Sequence, residues 1–425
     1  MKVRVEPGSI AGIIAAPPSK SMTQRAFAGA LLHKGRTTIY NAGKSADEQA
    51  ALQIIQQLGA SVVQQADGTI VVNSNGVVPI SGQINCNESG LATRLFAPVA
   101  ALSAQAINVA GAGSLLQRDI VGLEEVFRDL GVALPGFNGH VPFTLQGPLT
   151  AKDITIDSGE SSQLLSGLLF AFSYAATEPV TITVKKLSSK PYIDMTLDVL
   201  RQFGRPVANS NYQSFTIDPT LFTQTENITI DIAGDWSSAA GLLVAGAIAG
   251  KVSISGLANN NIQADNAIIA VLKEAGAVVE WRDGMVSVSS VSLKCFDYNA
   301  TDSPDLFPVL AILAACCDGE STIKGLHRLF NKESNRAESI GEMLQSFDVP
   351  FSMEDDTLFV TGVGALQGTI IDSYNDHRIV MAAAIGALRA NGPVDIEHAE
   401  AVNKSYPDFF KDLISCGGKC TFIDK

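Results

Sequence analysis

Apolar residues in this 425-residue chain gather in two kinds of helical stretch. The first kind is apolar on every side and rich in alanine, as in Val380-Met381-Ala382-Ala383-Ala384-Ile385-Gly386-Ala387-Leu388. Such a helix belongs inside a domain. The second kind repeats apolar residues at i, i+3, i+4 and i+7, over residues 49–58, 119–130, 194–203, 265–275 and 337–347. That spacing predicts one-sided helices covering the outer faces of sheets. Short β-branched runs lie between them, including 36–40, 180–184 and 251–254, and further runs at 69–72 and 358–360 read as paired strands.

The order of these parts repeats. A small polar cluster opens each alanine-rich helix: at Ser19, at Ser89-Gly90-Leu91-Ala92-Thr93-Arg94, and at Glu160-Ser161-Ser162-Gln163. It recurs at Asp235-Trp236-Ser237-Ser238, Ser303-Pro304-Asp305 and Asn375-Asp376-His377-Arg378. Counted from residues 19, 89, 160, 235, 303 and 375, the spacings are 70, 71, 75, 68 and 72. A period this long exceeds that of ordinary solenoids and implies compact α/β units grouped around shared buried helices. The expected fold is α/β (α+β), with two similar domains of three βαβαββ-type units each. The first strand, residues 1–5, precedes any unit and has no local partner, so it is expected to pair with the last one. The longest spacing falls near residue 232, where 227–235 reads as a crossing. The expected domains are 18–232, and 1–17 with 233–425, joined by a two-strand hinge.

The first cluster, Pro17-Pro18-Ser19-Lys20-Ser21-Met22-Thr23-Gln24-Arg25, reads as a helix start. Ser21 and Gln24 have capping-box spacing, and Gly35 is placed as a C-terminal stop. Its charge is unusual, because Lys20 and Arg25 lie where the helix dipole favours acids. Exposed N–H groups and two cations at one helix end suit an anion. Arg94 and Arg378 also sit at starts of alanine-rich helices, while Arg118, Lys190, Lys332, Arg336 and Lys404 follow the next strands. If equivalent helix ends face a common cleft, the chain builds a polyanion pocket. Ser161, Ser162, Gln163, Ser189, Asp305, Glu333, Asp376 and His377 are interleaved with these cations, and carboxylates beside Lys or Arg can exchange protons.

Composition narrows the setting. Hydrophobic residues make up 46% of the chain, which excludes disorder, and the net charge of −13 disfavours nucleic acid or an anionic membrane as partner. Cys86, Cys295, Cys316, Cys317, Cys416 and Cys420 form no CxxC pair, so reduced thiols are expected and no metal site. The start alternates like a strand and lacks an apolar signal core, and the run 242–250 is about half a membrane span. A cytoplasmic, soluble protein is expected.

Ordered motifs carry a resemblance to a family. They are Pro18-Ser19-Lys20-Ser21-x3-Arg25, Gly90-x3-Arg94, Gln117-Arg118-Asp119-Ile120, Ser161-Ser162-Gln163 and Ser189-Lys190-Pro191-Tyr192-Ile193-Asp194 in the first half. The second half has Gly234-Asp235-x-Ser237-Ser238, Pro304-Asp305, Lys332-Glu333-Ser334-x-Arg336, Tyr374-Asn375-Asp376-His377-Arg378 and Lys404. From end to end the chain resembles the 5-enolpyruvylshikimate-3-phosphate synthases, whose fold is two domains of three repeated units. The resemblance implies transfer of an enolpyruvyl group from phosphoenolpyruvate to the 5-hydroxyl of shikimate 3-phosphate, the family's glyphosate-inhibited step in aromatic amino-acid biosynthesis. It implies no cofactor and no metal, and the protein is expected to be a monomer.

By the same resemblance, Lys20, Ser21, Arg25, Ser161, Ser162, Gln163, Ser189, Tyr192, Asp305 and Lys332 would hold shikimate 3-phosphate. Lys20, Gly90, Arg118, Gln163, Arg336, His377, Arg378 and Lys404 would hold phosphoenolpyruvate. Asp305 resembles the base for the hydroxyl, and Glu333, helped by Lys20, the acid for the methylene carbon. Three positions depart from the pattern: Leu91 stands where threonine is usual, Asn335 where aspartate is, and Arg328 where asparagine is frequent. They bear on substrate and inhibitor affinity, and Leu91 is expected to weaken glyphosate. Two alternatives remain. One is UDP-N-acetylglucosamine enolpyruvyl transferase, whose mobile loop usually carries a cysteine that residues 111–118 lack. The other is a non-catalytic sugar-phosphate binder on the same scaffold, for which paired carboxylates among the cations have no use.

Overall fold

A computed structural model describes residues 1–258, 262–289 and 292–423. The chain opens with β1 (Lys2–Glu6) and β2 (Ile10–Ala15), then α1 (Lys20–Leu32), β3 (Gly35–Tyr40), α2 (Ala46–Gln57), β4 (Ser61–Gln64) and β5 (Ile70–Ser74). The second repeat is β6 (Gln83–Asn85), α3 (Gly90–Ala100), β7 (Ala106–Ala110), α4 (Leu123–Asp129) and β8 (Phe143–Gln146). The third is β9 (Ile154–Ser158), α5 (Gln163–Ala175), β10 (Val180–Leu187), α6 (Lys190–Gln202), β11 (Val207–Ser210) and β12 (Ser214–Ile217). The fourth runs from β13 (Asn227–Asp231) through α7 (Trp236–Ala249), β14 (Gly250–Ser255), α8 (Ile268–Glu274), β15 (Val278–Arg282) and β16 (Met285–Ser289). The fifth is β17 (Asp297–Asn299), α9 (Phe307–Ala315), β18 (Glu320–Lys324), α10 (Arg336–Ser346), β19 (Phe351–Glu354) and β20 (Thr357–Thr361). The sixth is β21 (Ile370–Asp372), α11 (His377–Ala387), β22 (Val394–Glu397), α12 (Phe409–Ser415) and β23 (Lys419–Ile423).

Each repeat makes one small sheet. In the third, β9 pairs parallel with β10, β10 antiparallel with β12, and β12 antiparallel with β11. The parallel pair is bridged by the buried helix and the antiparallel hairpin follows the outer helix, which is the order the sequence pattern predicts.

Two strands leave this local scheme. β2 leads into α1, yet it pairs parallel with β14 of the fourth repeat. β13 leads into α7, yet it pairs parallel with β3 of the first. β1 lies between β22 and β23, antiparallel to both, so the unpartnered first strand completes the sixth sheet. The chain accordingly divides into two compact units, Pro18–Ala233, and Met1–Pro17 with Gly234–Lys425. Ala233 goes with the first of these, one residue past the expected limit.

In the Pro18–Ala233 unit, α1, α3 and α5 form a buried helical centre, with α3 and α5 in closest contact. Gly167 of α5 makes that contact possible, because a Cβ there would lie 2.5 Å from the Arg94 carbonyl oxygen and 2.7 Å from that of Leu95. In the other unit α7, α9 and α11 take the same role. α7 is buried along nearly its whole length, from Trp236 to Ala249.

Some local expectations are corrected. The N-cap of α1 is Ser19, whose Oγ accepts from the Met22 amide at 3.4 Å, and Ser21 is already inside the helix. α1 stops at Leu32, with His33 turning the backbone to an extended conformation before Gly35 opens β3. α4 begins at Leu123 after Gly122 (φ 77°), four residues later than the apolar spacing predicts. In the sixth repeat the outer helix is only the seven residues of α12, preceded by a 3-10 segment, Ala399–Lys404.

Gly167→Ala is expected to destabilise the Pro18–Ala233 unit by about 1–3 kcal/mol, since the added methyl meets fixed backbone rather than a movable side chain. The midpoint of urea denaturation checks this, and an unchanged midpoint would mean that α3 and α5 can move apart freely.

Candidate active site

The buried helices are apolar over most of their length, and their charged side chains are confined to their first two turns. Within the Pro18–Ala233 unit, Ser89 Oγ caps α3 through the Ala92 amide at 3.2 Å, and Ser161 Oγ accepts from the Gln163 amide at 3.2 Å. None of α1, α3 or α5 has an acid in its first turn. The three starts adjoin. Arg94 Nη1 donates to the Gly90 carbonyl and to Gln163 Oε1, at 3.3 and 3.4 Å, and its Nη2 reaches the Asp119 carbonyl at 2.6 Å. Ser89 Oγ reaches Gln24 Oε1 at 3.5 Å.

The expected ligands of this unit fall around those starts. Lys20, the first residue of α1, pairs with Asp47 at 2.9 Å. Arg118 is buried, and its guanidinium lies over Gly90, where a Cβ would come within 2.8–2.9 Å of it. Only glycine lets the two approach this closely. Ser162 and Ser189 are buried, and Ser189 takes left-handed dihedrals (φ 56°) to start α6. Arg25 is 1% exposed, and its four hydrogen bonds all go to neutral oxygens. Burial lowers its pKa to about 10. Lys190, the exposed first residue of α6, has Nζ 5.3 Å from the centre of the Tyr212 ring.

Leu91 is buried in the core of this unit. The cap of α3 comes from Ser89, so the hydroxyl that a threonine at 91 would supply is not needed for that bond.

The other unit solves the problem of buried cations differently. Arg336, 1% exposed, donates to Asp376 Oδ2 at 2.9 Å, Asp305 Oδ1 at 2.8 Å and Glu333 Oε2 at 2.6 Å. Burial alone would lower its pKa, but the three carboxylates hold it raised. Asp376 caps α11 through the Arg378 amide at 2.9 Å and accepts from Ser334 Oγ at 3.2 Å. Asp305 lies in a 3-10 turn, Pro304–Leu306, ahead of α9. Arg378 Nη2 is 3.5 Å and Lys332 Nζ 3.9 Å from its carboxylate. Burial would raise the Asp305 pKa, but Arg378, Lys332 and Arg336 hold it well below the usual carboxylate range. Lys332 is lowered to about 8 by burial, with Arg336 and Arg328 adding to the shift and Asp305 opposing it. Lys404 donates to the Asn375 carbonyl at 2.7 Å, and His377 is buried with Nδ1 3.9 Å from Asp376.

Asp305, Lys332, Glu333, Arg336, Arg378 and Asp376 thus form one cluster, with His377 beside Asp376. Donor atoms of Glu333, Asp376 and His377 lie within 4.8 Å of one another. Both carboxylates already accept from Arg336, so a divalent ion would have to displace a guanidinium.

Sequence reasoning missed two acids. Asp47 pairs with Lys20, and Asp265, buried and hydrogen-bonded by Ser237, feels Asp305 and Arg378. Burial and the charge of Asp305 push Asp265 up to about 7. Both stand at or near the starts of outer helices, where an acid is an ordinary dipole partner and gives no signal of its own.

Repeated α/β units with cations and carboxylates gathered at buried helix starts define a protein that handles small polyanions. The family model of EPSP synthase (3-phosphoshikimate 1-carboxyvinyltransferase) matches residues 5–413. The 3-phosphoshikimate 1-carboxyvinyltransferase of Methanocorpusculum labreanum is 34% identical over 420 residues, covering 98% of this chain and 99% of that protein. That of Aeropyrum pernix is 35% identical over 419 residues, covering 98% and 96%. The structure of EPSP synthase from Acinetobacter baumannii aligns with a TM-score of 0.82 at 25% identity, over 99% of this chain and 100% of that one. The enolpyruvyl transferase NikO from Streptomyces tendae, at 16% identity and a TM-score of 0.76 over 99% and 98%, shares the fold. The chain belongs to the EPSP synthase family. Among the described residues no helix is long and apolar enough to cross a membrane.

Asp376→Ala removes an acceptor of two Arg336 N–H groups and the cap of α11 at once. It is expected to cost roughly 3–5 kcal/mol of stability, the range for breaking a buried ion pair. Asp376→Asn, which keeps an oxygen for the cap, is expected to cost less. Chemical denaturation of the two variants measures the difference, and equal losses would mean that the cap contributes nothing.

Proposed function

We propose that this chain transfers the enolpyruvyl group of phosphoenolpyruvate to the 5-hydroxyl of shikimate 3-phosphate and releases phosphate. The observation that carries this reading is the cluster around Asp305: a carboxylate held ionised among Lys332, Arg336 and Arg378. A protein that only bound sugar phosphates would gain nothing from three carboxylates that compete with its ligand for the same cations. Relatives named for the shikimate reaction, 34–35% identical over nearly the whole chain, favour it over transfer to a UDP-sugar.

Both substrates are anions, and the cations divide between them. Arg25, Ser21, Ser161, Ser162, Ser189, Tyr192 and Lys332 would take shikimate 3-phosphate. Lys20, Arg118, Arg336, His377, Arg378 and Lys404 would take phosphoenolpyruvate, with Gly90 and Gln163 beside it. Planar guanidinium forks match carboxylate and phosphate oxygens in pairs.

In the reaction the 5-hydroxyl oxygen bonds to C2 of phosphoenolpyruvate while C3 gains a proton. The C2–O bond to phosphate then breaks as a C3 proton is lost, leaving the enol ether. Asp305 would accept the hydroxyl proton. With Arg378, Lys332 and Arg336 around it, Asp305 is a weak base. Substrate anions that draw on Lys332, Arg336 and Arg378 relieve that hold, so Asp305 gains basicity once the ligands are in place. Glu333, which accepts from Arg336 Nη2 at 2.6 Å, would be freed in the same way to carry the proton for C3. The cations that remain stabilise the charge developing on the departing phosphate.

The reading is tested by phosphate release from purified protein given both substrates. Asp305→Asn and Glu333→Gln are each expected to lose about 10²- to 10⁴-fold in kcat while still binding shikimate 3-phosphate. Near-native turnover in either variant would remove its assigned role, and no phosphate release from the folded wild-type protein would remove the reading.

A pH dependence follows from Lys332. Its ammonium is present below about pH 8 and is lost above it, whereas an ordinary lysine keeps its charge well past that point. The value of kcat/KM for shikimate 3-phosphate, which reports the free enzyme, is expected to fall along an alkaline limb near pH 8. Lys332→Arg should move that limb upward by more than one pH unit. A limb that stays near pH 8 in the variant belongs to another group.

A further inference from the structure

The two units treat buried guanidinium groups in opposite ways. Arg336 meets three carboxylates, whereas Arg25, equally buried, meets none among its hydrogen-bond partners. Arg25 Nε donates to Thr196 Oγ1 at 2.8 Å, Nη1 to the Ser21 carbonyl at 2.9 Å, and Nη2 to Ser166 Oγ at 3.4 Å and the Tyr192 carbonyl at 3.3 Å. A guanidinium has five N–H groups. Among the described residues these bonds leave one N–H of Nη1 for another acceptor.

Thr196 is the centre of this arrangement. Its hydroxyl has one proton and two lone pairs. It accepts from Arg25 Nε at 2.8 Å and lies 3.0 Å from the Tyr192 carbonyl and 2.9 Å from Ser166 Oγ, so the two hydroxyl protons are shared among the Thr196–Ser166 contact and the carbonyls of Tyr192 and Ser162. Thr196 and Ser166 are both fully buried, so water does not substitute for them. Ser166 also lies 3.2 Å from the carbonyl of Ser162. One hydroxyl therefore ties Arg25 of α1 to the first turns of α5 and α6, where Ser162, Ser189 and Tyr192 stand.

We propose that Thr196 and Ser166 are positioning residues that clamp the Arg25 guanidinium with neutral oxygens, fixing it while leaving its charge uncompensated for shikimate 3-phosphate. The inference rests on the function proposed above. Its physical content is a choice of partner. A carboxylate in place of either hydroxyl would hold Arg25 equally well but would neutralise it, and the ligand anion would then have to compete. Hydroxyls orient the fork without that competition, and the low polarity around it strengthens attraction to an incoming anion. The desolvation that lowers Arg25 toward a pKa of about 10 fits a cation awaiting its counter-ion.

The test uses the full-length protein with Thr196→Val, which keeps the shape and removes the hydroxyl, and Thr196→Ser, which keeps the hydroxyl. Titration calorimetry gives the Kd for shikimate 3-phosphate, and steady-state assays give KM for phosphoenolpyruvate. Thr196→Val is expected to weaken shikimate 3-phosphate about tenfold or more, the scale of a lost bond to a charged group. KM for phosphoenolpyruvate should change less than twofold, and Thr196→Ser should recover most of the affinity. If Thr196→Val does not fold, Ser166→Ala is measured in its place with the same expectation. Wild-type affinity in the hydroxyl-free variant, or equal weakening of both substrates, would overturn the clamp while leaving the enzymatic reading intact. A wild-type protein that binds no shikimate 3-phosphate would overturn both.

Discussion

A helix that is apolar on every side can be stable only when it is surrounded, and six such helices organise this chain. Enclosing them requires sheets and one-sided helices on all flanks, which each repeat largely supplies itself, with β1, β2 and β13 brought in from elsewhere in the chain. Enclosure also removes every place along the helix where a charge could sit. Charged side chains are pushed to the first two turns, where unsatisfied N–H groups already need partners. Within each unit the three buried helices pack together, so their starts become neighbours. A cluster of charged and hydroxyl side chains follows from the packing, and the chemistry of the site from that cluster.

What the two clusters share is burial, and what separates them is how they carry positive charge inside a protein of net charge −13. Around Arg336 the charges are balanced by carboxylates that can later act on protons. Around Arg25 hydroxyls and carbonyls provide geometry alone. The first arrangement is stable without ligand and must be rearranged by it. The second keeps an electrostatic cost that a bound anion relieves. A two-substrate transferase has use for both, since it must hold one anion firmly and exchange protons near the other.

Much of this was legible in the sequence because the repeat is. Polar clusters at nearly constant spacing marked where the buried helices begin, and the helix starts of each unit do gather as that pattern implied. What was not legible depended on partners far away along the chain. Ser21 and Gln24 offered capping-box spacing, but Ser19 caps the helix, since Lys20 and Ser21 are already within its first turn. The acidic partner of Lys20 is Asp47, and the neighbours of Arg25 include Thr196, which is 171 positions away. Neither Asp47 nor Thr196 stands in one of the six polar clusters that open the buried helices, and a threonine inside an amphipathic helix looks like any other. Asp265 was hidden the same way, as an acid near the start of an outer helix.

The exchange of β2 and β13 sets an order of assembly. Every strand of the Pro18–Ala233 unit is present once β13 has been synthesised, so this unit can close while the chain is still growing. The other unit joins a segment made before the Pro18–Ala233 unit, Met1–Pro17, to one made after it, Gly234–Lys425. β2 waits for β14, more than two hundred residues later, and β1 waits for β22 and β23 near the end. During that interval two short strands with unpaired edges travel with the nascent chain, the kind of exposed template that attracts wrong pairings. Their brevity, five and six residues, and the charges of Lys2, Arg4 and Glu6 in the first limit that hazard.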